Sequence, residues 1–290
     1  MTDAPVDLLR RWVARQAEPE AWSWLEERLA ALAAGAGERE LYITLGFIPR
    51  KLGKADLRLD DADRAAADAA RADWCVDGWS LDGAARVLTL LTYAGERPFA
   101  ETFKQLRRTA DARELVAFYR GLPVYPEPRS LEAEAAEGLR TNMRAVFEAI
   151  AHANPYPRDV FDEHRWNHMI LKALFVGSRL DPILGLDRRA NPELARILRD
   201  YAHERRAAGR PVAPELWRCV GPFATDGEAV EDLARALAGE GAERRAAALA
   251  LAASPAPEAA ARLDRAPELK RAIADGTLTW DMLEREEARP

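Results

Sequence analysis

The chain has 290 residues, 42 basic and 48 acidic, for a net charge of −6 at pH 7. That balance speaks against general nucleic-acid binding, which wants a basic face, and the apolar and tryptophan content suffices for a buried core rather than disorder. Its two cysteines, Cys75 and Cys219, form no CxxC pair, so neither a disulfide framework nor a zinc knuckle is readable.

The opening stretch, MTDAPVDLLRRWVARQ, lacks an uninterrupted apolar h-region, and no apolar run reaches the roughly 18 residues of a membrane span. A cytoplasmic protein with no direct membrane span is expected. Residues 4–34 read as two helices parted near Glu18-Pro19 and stopped by Gly35. Residues 38–54 fit a helix broken at Pro49. The alanine-rich, charged stretch 61–73 suits an exposed helix. Ser80 has the character of an N-cap, and Leu81, Ala84, Ala85, Leu88 and Leu91 follow at helical spacing. Asp111 and Glu114 make a capping-box pattern. Leu122–Pro128 is a proline-rich connector that favours extended backbone.

A long helix is expected over 130–151, with Leu139, Met143, Val146, Phe147 and Ile150 on one stripe. Another is expected over 159–176, and the short Asn154–Pro157 turn favours antiparallel neighbours. Asn191-Pro192 supplies an N-cap and a first-turn proline for a helix that turns Leu194, Ile197, Leu198 and Tyr201 inward. Val212–Trp217 predicts a short helix. After Gly221-Pro222 the texture becomes alanine-rich, with short helical segments and no clean repeat period. The whole reads as an all-α fold, an irregular helical array with HEAT-like helix pairs toward the C-terminus. The expected organisation is a helical core over 1–224 and an alanine-rich helical segment over 225–290 packed on it, with one domain as the alternative.

Catalytic motifs are missing: there is no GxSxG, HExxH or GxGxxG. Gly46 to Gly53-Lys54 fails as a phosphate loop, since Ala55 replaces the magnesium-binding Ser/Thr. All four histidines lie in one window, at 152, 164, 168 and 203. His164 and His168 share a helix face and have metal-chelating spacing, but Lys172 continues that stripe. His203 falls opposite the apolar face of its helix, beside Arg196, Arg199 and Arg206, where a solvated basic stripe is expected. No metal site and no cofactor are therefore expected. Three readings of the histidines stay open: ordinary surface or structural groups, a metal pair, or members of a pocket. In the pocket reading the all-round apolar helix WNHMILKALF is buried on several faces. Asn167, His168 and Lys172 then orient a small polar or anionic ligand. Arg140 and Asn142 flank the neighbouring apolar stripe and join the candidate ligand-binding set with Tyr156 and His164. A broader central face would present Tyr119, Tyr125, Tyr156 and Trp166 near Arg140, Arg144, Arg188 and Arg189; the plain alternative makes the aromatics core.

Long, unusual motifs then carry a family resemblance. EGLRTNMRAVFEAIAHANPYP, FDEHRWNHMILKALF and GLDRRANPELARILRDYAHERRAAGRPVAPELWRCVGPF resemble the EboA family, as do LVAFYRGLPVYPEP and GTLTWDML. The resemblance is densest from Tyr119 to Phe223. It implies a place in metabolite traffic, in clusters that export a precursor of secondary metabolism, alongside a UbiA-like membrane prenyltransferase and soluble enzyme-like proteins. It implies no catalytic residues. The expected role is a non-catalytic helical accessory protein that binds a small molecule or export-pathway partners, with no nucleic acid. The alternative is a small-molecule enzyme with His164, His168 or His152 as acid/base.

Overall fold

The structure is a computed structural model that describes residues 3–287. Among the described residues there are 19 α-helices, three short 3-10 helices and no strands beyond one isolated bridge, so the chain is all-α. No helix among them is long and apolar enough to cross a membrane. Contacts group the chain into two compact units, Met1–Asp162 and Glu163–Pro290.

The first unit holds α1 (Pro5–Gln16), α2 (Pro19–Ala33), α3 (Glu38–Lys51), α4 (Asp61–Ala70), α5 (Leu81–Thr92), α6 (Phe99–Thr109), α7 (Ala112–Arg120), α8 (Glu132–Leu139), α9 (Arg144–Ala151) and α10 (Tyr156–Val160). Helix α5 is its axis: residues Leu81 to Leu90 are all buried, and α1, α2, α3 and α7 pack around it. Its start is capped as the sequence predicts, with Ser80 Oγ accepting from the Gly83 N–H at 3.3 Å. The capping box of α7 is present in both directions, between Asp111 and Glu114. Helix α4 has a second box, Asp60 with Asp63.

Three expectations change. Helix α3 continues past Pro49 to Lys51, because a proline in the last turn forfeits one bond without stopping the helix. The helix expected over 130–151 is two, α8 and α9, parted at residues 140–143 after a 3-10 turn at Pro128–Leu131. Gly138 lets the two halves fold back on one another. A Cβ there would meet Tyr119 Cζ at 2.4 Å and Ile150 Cδ1 at 2.5 Å. The Leu122–Pro128 connector includes a 3-10 turn at Leu122–Val124 rather than being extended throughout.

The second unit holds α11 (Glu163–Val176), α12 (Leu186–Arg189), α13 (Pro192–Ala207), α14 (Leu216–Val220), α15 (Gly227–Leu237), α16 (Gly241–Ala253), α17 (Pro257–Leu263), α18 (Pro267–Ala274) and α19 (Trp280–Glu287). The helix expected over 159–176 is broken at 161–162: residues 159–160 end α10 in the first unit, and the rest is α11, which belongs to a different unit from α8 and α9. Asn191 caps α13 through the Leu194 N–H, with Pro192 in its first turn. The short helix expected at Val212–Trp217 lies slightly later, as α14. Helix α16 is the packing centre here, in contact with α14, α15, α17, α18 and α19. Its alanines let those helices approach closely, and Ala246 to Ala248 and Ala250 are fully buried.

Candidate functional site

A concavity of the first unit is built around the start of α5. Trp12 on α1 lies 5.7 Å from Trp74, and Trp74 lies 6.1 Å from Trp79, ring centre to ring centre. These buried rings anchor the 71–80 segment to the helical core. Two backbone bonds then pin residues 55–57 beside it: Leu57 N–H to the Trp79 carbonyl and Leu81 N–H to the Ala55 carbonyl, each 2.8 Å. Lys54 and Asp56 are thereby held next to Ser80. Helices α7 and α9 close the other side through Val116, Ala117, Arg120 and Ala145.

The result is a cleft of two adjoining compartments. One, about 370 Å³, is bordered by Lys54, Asp56, Ser80, Asp82 and Arg113. The other, about 240 Å³, is bordered by Cys75, Asp77, Glu148, His152 and Asn154. Trp79, Val116, Arg120 and Ala145 line both. The first volume lies in the range that holds a small metabolite.

The cleft's charges are unevenly satisfied. Asp82 is only 1% exposed. Its Oδ2 accepts from Arg86 Nη1 at 2.6 Å, while its Oδ1 has no hydrogen-bond donor, Arg113 Nη2 lying 3.6 Å away. Asp77 pairs with Arg64 at 2.8 Å and Glu148 with Arg144 at 2.6 Å. Arg120, in the last turn of α7, donates one bond to the Gly78 carbonyl at 2.6 Å, and no carboxylate of the described residues ion-pairs with it. Burial pushes its guanidinium down from its ordinary value, and the Cys75 thiol nearby opposes that shift.

The residues singled out from the sequence are dispersed. In the first unit, Arg140 is exposed and pairs with Glu137 at 3.0 Å, and Asn142 is exposed in the link between α8 and α9. Tyr156 is 1% exposed, with its hydroxyl donating to the Pro128 carbonyl at 2.6 Å. Tyr119 and Tyr125 are likewise buried, and burial raises the pKa of both phenols. Of the histidines, His152 alone borders the cleft, with Nδ1 4.0 Å from Glu148 Oε1.

In the second unit, His164 and His168 are exposed on α11 with ring centres 4.3 Å apart, and Lys172 is half-buried on the same helix. Among the described residues no group of three or more His, Cys, Asp or Glu side chains is placed to hold a metal. Asn167 is 2% exposed and exchanges two amide bonds with Asn191, at 2.9 and 3.2 Å. Its polarity is thus satisfied internally, and it fixes the residue that caps α13. Trp166 is fully buried, under the Arg189 guanidinium at 4.6 Å. The basic stripe expected on α13 divides: Arg196 is exposed and pairs with Glu193 and Asp200 of its own helix, whereas Arg199, His203 and Arg206 reach α15 and α16. Asp232 on α15, 2% exposed, receives Arg199 Nε at 2.8 Å and sits 2.7 Å from His203 Nε2.

The cleft residues Trp79, Asp82, Arg113 and Arg120 did not stand out in the sequence. One available signal was the Asp82/Arg86 pair, two opposite charges four apart inside an otherwise apolar helix. Such a pair is either internally neutralised or borders a cavity. Arg120 carries no comparable signal, since an arginine in a last turn is ordinary.

A family model described as metabolite traffic protein EboA matches residues 5–221. No curated protein and no solved structure matches the chain.

Proposed function

The chain belongs to the EboA family of metabolite traffic proteins, and from that membership we propose that it acts by binding, holding a small metabolite in the cleft beside α5. The observation that carries this reading is Arg120: a partly buried guanidinium, shared by both compartments, with no carboxylate of its own. A cation withdrawn from water without a counter-ion is costly unless something else arrives to pair with it. The walls offer hydrogen-bonding and ionic groups in a concave setting, as a binding site requires. In this reading the protein retains a precursor and passes it to export-pathway partners, a UbiA-like membrane prenyltransferase among them, without making or breaking bonds in it.

The test is native mass spectrometry of protein gently purified from cells that make the metabolite. A bound small molecule is expected, released on denaturation. Val116→Trp places a large ring where both compartments meet and is expected to remove the bound species by at least about tenfold while helicity is unchanged. Retention of the species by the Trp variant would show that the cleft is not the site. Conversion of the released molecule by purified protein alone would replace binding with catalysis.

A further inference from the structure

We propose that the metabolite held in this cleft carries an oxyanion, a phosphate or carboxylate, and that the anion pairs with Arg120. The inference rests on the cleft being the binding site and adds the chemical class of its occupant.

A guanidinium presents five N–H donors in a planar fork that matches two oxygens of a carboxylate or phosphate. At Arg120 one donor goes to the Gly78 carbonyl, which also fixes the fork's position against the 75–80 segment. On an open surface water would serve the remaining donors. Here the side chain is half-buried against the cleft wall, and partial desolvation is the dominant influence lowering its proton affinity. Three of the four carboxylates that border the cleft are already engaged, Asp77 by Arg64, Glu148 by Arg144 and Asp82 by Arg86, and the fourth, Asp56, is exposed at the rim. Asp82 does not repel an anion strongly, because Arg86 and Arg113 approach its two oxygens at 2.6 and 3.6 Å. Lys54 adds a further cation at the exposed rim. A chain of net charge −6 thus keeps one half-buried cation, with no carboxylate ion-paired to it, facing a metabolite-sized hollow. A neutral ligand would leave that cation unpaired, whereas an oxyanion completes it.

The full-length protein, labelled with 15N, is titrated with sodium phosphate and separately with sodium acetate, against sodium chloride at matched ionic strength. The Arg120 Nε–Hε and Gly121 amide signals are followed. A saturable shift with phosphate or with acetate is expected, and the arm that saturates tighter identifies the anion. Arg120→Met is expected to weaken that binding about tenfold to hundredfold, the usual contribution of a charge-assisted hydrogen bond. Arg108→Met, at an exposed arginine of α6, is expected to leave it unchanged. Should Arg120→Met fail to fold, Arg120→Lys keeps the charge without the fork and is expected to bind several-fold more weakly.

Shifts that chloride reproduces, or equal affinity in the Arg120 and Arg108 variants, would overturn the proposal. If neither anion binds while Val116→Trp still abolishes capture of the cellular metabolite, the oxyanion assignment fails and the cleft survives as a binding site. If the anion binds at Arg120 but Val116→Trp retains the metabolite, the functional reading of the cleft fails and the anion site stands.

Discussion

Single side chains show how burial decides which groups are available for chemistry. The two thiols make the contrast plain. Cys219 on α14 is fully buried, and burial first, with the nearby Asp187 and Glu215 carboxylates, pushes it up to about 12. Cys75 is half-buried and borders the cleft. A thiol reacts as its thiolate and only when reached, so Cys219 is inert in the folded chain. A disulfide-exchange reagent at pH 8 is expected to label one cysteine of the native protein, Cys75, and the second only in denaturant. Peptide mapping identifies the site, and two equivalents of fast labelling would contradict the buried Cys219. A ligand in the cleft is expected to slow Cys75 labelling, which gives a direct readout of occupancy. His164 and His168 illustrate the opposite case: they are close together and exposed, yet no third ligand stands beside them among the described residues.

Between elements, close approach and buried charge set the packing. Gly221 opens the 3-10 turn after α14 and lies against α16. A Cβ at Gly221 would meet the Ala250 carbonyl oxygen at 2.6 Å and Ala250 Cα at 2.7 Å. These are backbone atoms of a helix, so relief requires moving α16 rather than rotating a side chain. The backbone at Gly221 is ordinary right-handed helix, so the barrier to substitution is steric and not conformational. Gly221→Ala is expected to destabilise by about 1–3 kcal/mol, a typical overpacking cost. Gly227→Ala is the control, because a Cβ there meets nothing within 4 Å and alanine suits a helix better than glycine. Chemical denaturation should separate the two, and equal midpoints would show that α16 yields freely. The Asp232 cluster performs a related task across α13 and α15, where the Arg199 guanidinium pairs with the buried carboxylate and the His203 ring hydrogen-bonds to it.

Over the whole molecule, carboxylates of opposite tendency shape the response to acid. Burial alone would raise Asp63, but hydrogen bonds from Arg15, the Asp60 N–H and Trp12 outweigh it and hold the carboxyl below its ordinary value. Asp159 follows the same pattern with Arg158 and Arg71. Groups depressed on folding add stability that is complete above the unfolded pKa of about 3.9 and is lost as pH falls through the folded value. Glu215 runs the other way. Burial dominates and raises it, and the Leu180 and Asp181 N–H bonds at 2.6 and 2.9 Å only partly offset that. Its ionised form therefore costs stability at neutral pH, and the cost is relieved as pH falls toward the folded pKa. Asp63→Asn is expected to lower stability at pH 7 by about 1–3 kcal/mol, the loss of charge-assisted bonds, with the gap to the parent protein closing below about pH 4. Urea denaturation at pH 7, 5 and 3.5 checks this, and a gap that stays constant across the three would refute the assignment.

Much of the secondary structure follows from local signals that act within a few residues. Ser80, Asp111 and Asn191 each cap the predicted helix, and Gly35 adopts the left-handed conformation, φ 89°, that ends α2. The all-α class and the family resemblance are legible for the same reason, since both reside in contiguous runs of sequence. The break between α8 and α9 was not legible. The apolar stripe over 130–151 is continuous, and the reason to fold back is Gly138 accepting Tyr119 from a different helix. The cleft was hidden for a similar cause. Lys54, the run Trp79–Asp82 and Arg120 come from three separate stretches, brought together by the Trp12–Trp74–Trp79 contacts and the bridge of Asp56 to Ser80. Which polar groups are left without partners depends on who their neighbours are. Asn167 finds Asn191 and is satisfied, whereas Arg120 finds only a carbonyl. Spacing along a chain carries helix faces and caps; the desolvation and pairing of a charge are properties of the packed molecule, and only the tertiary structure decides them.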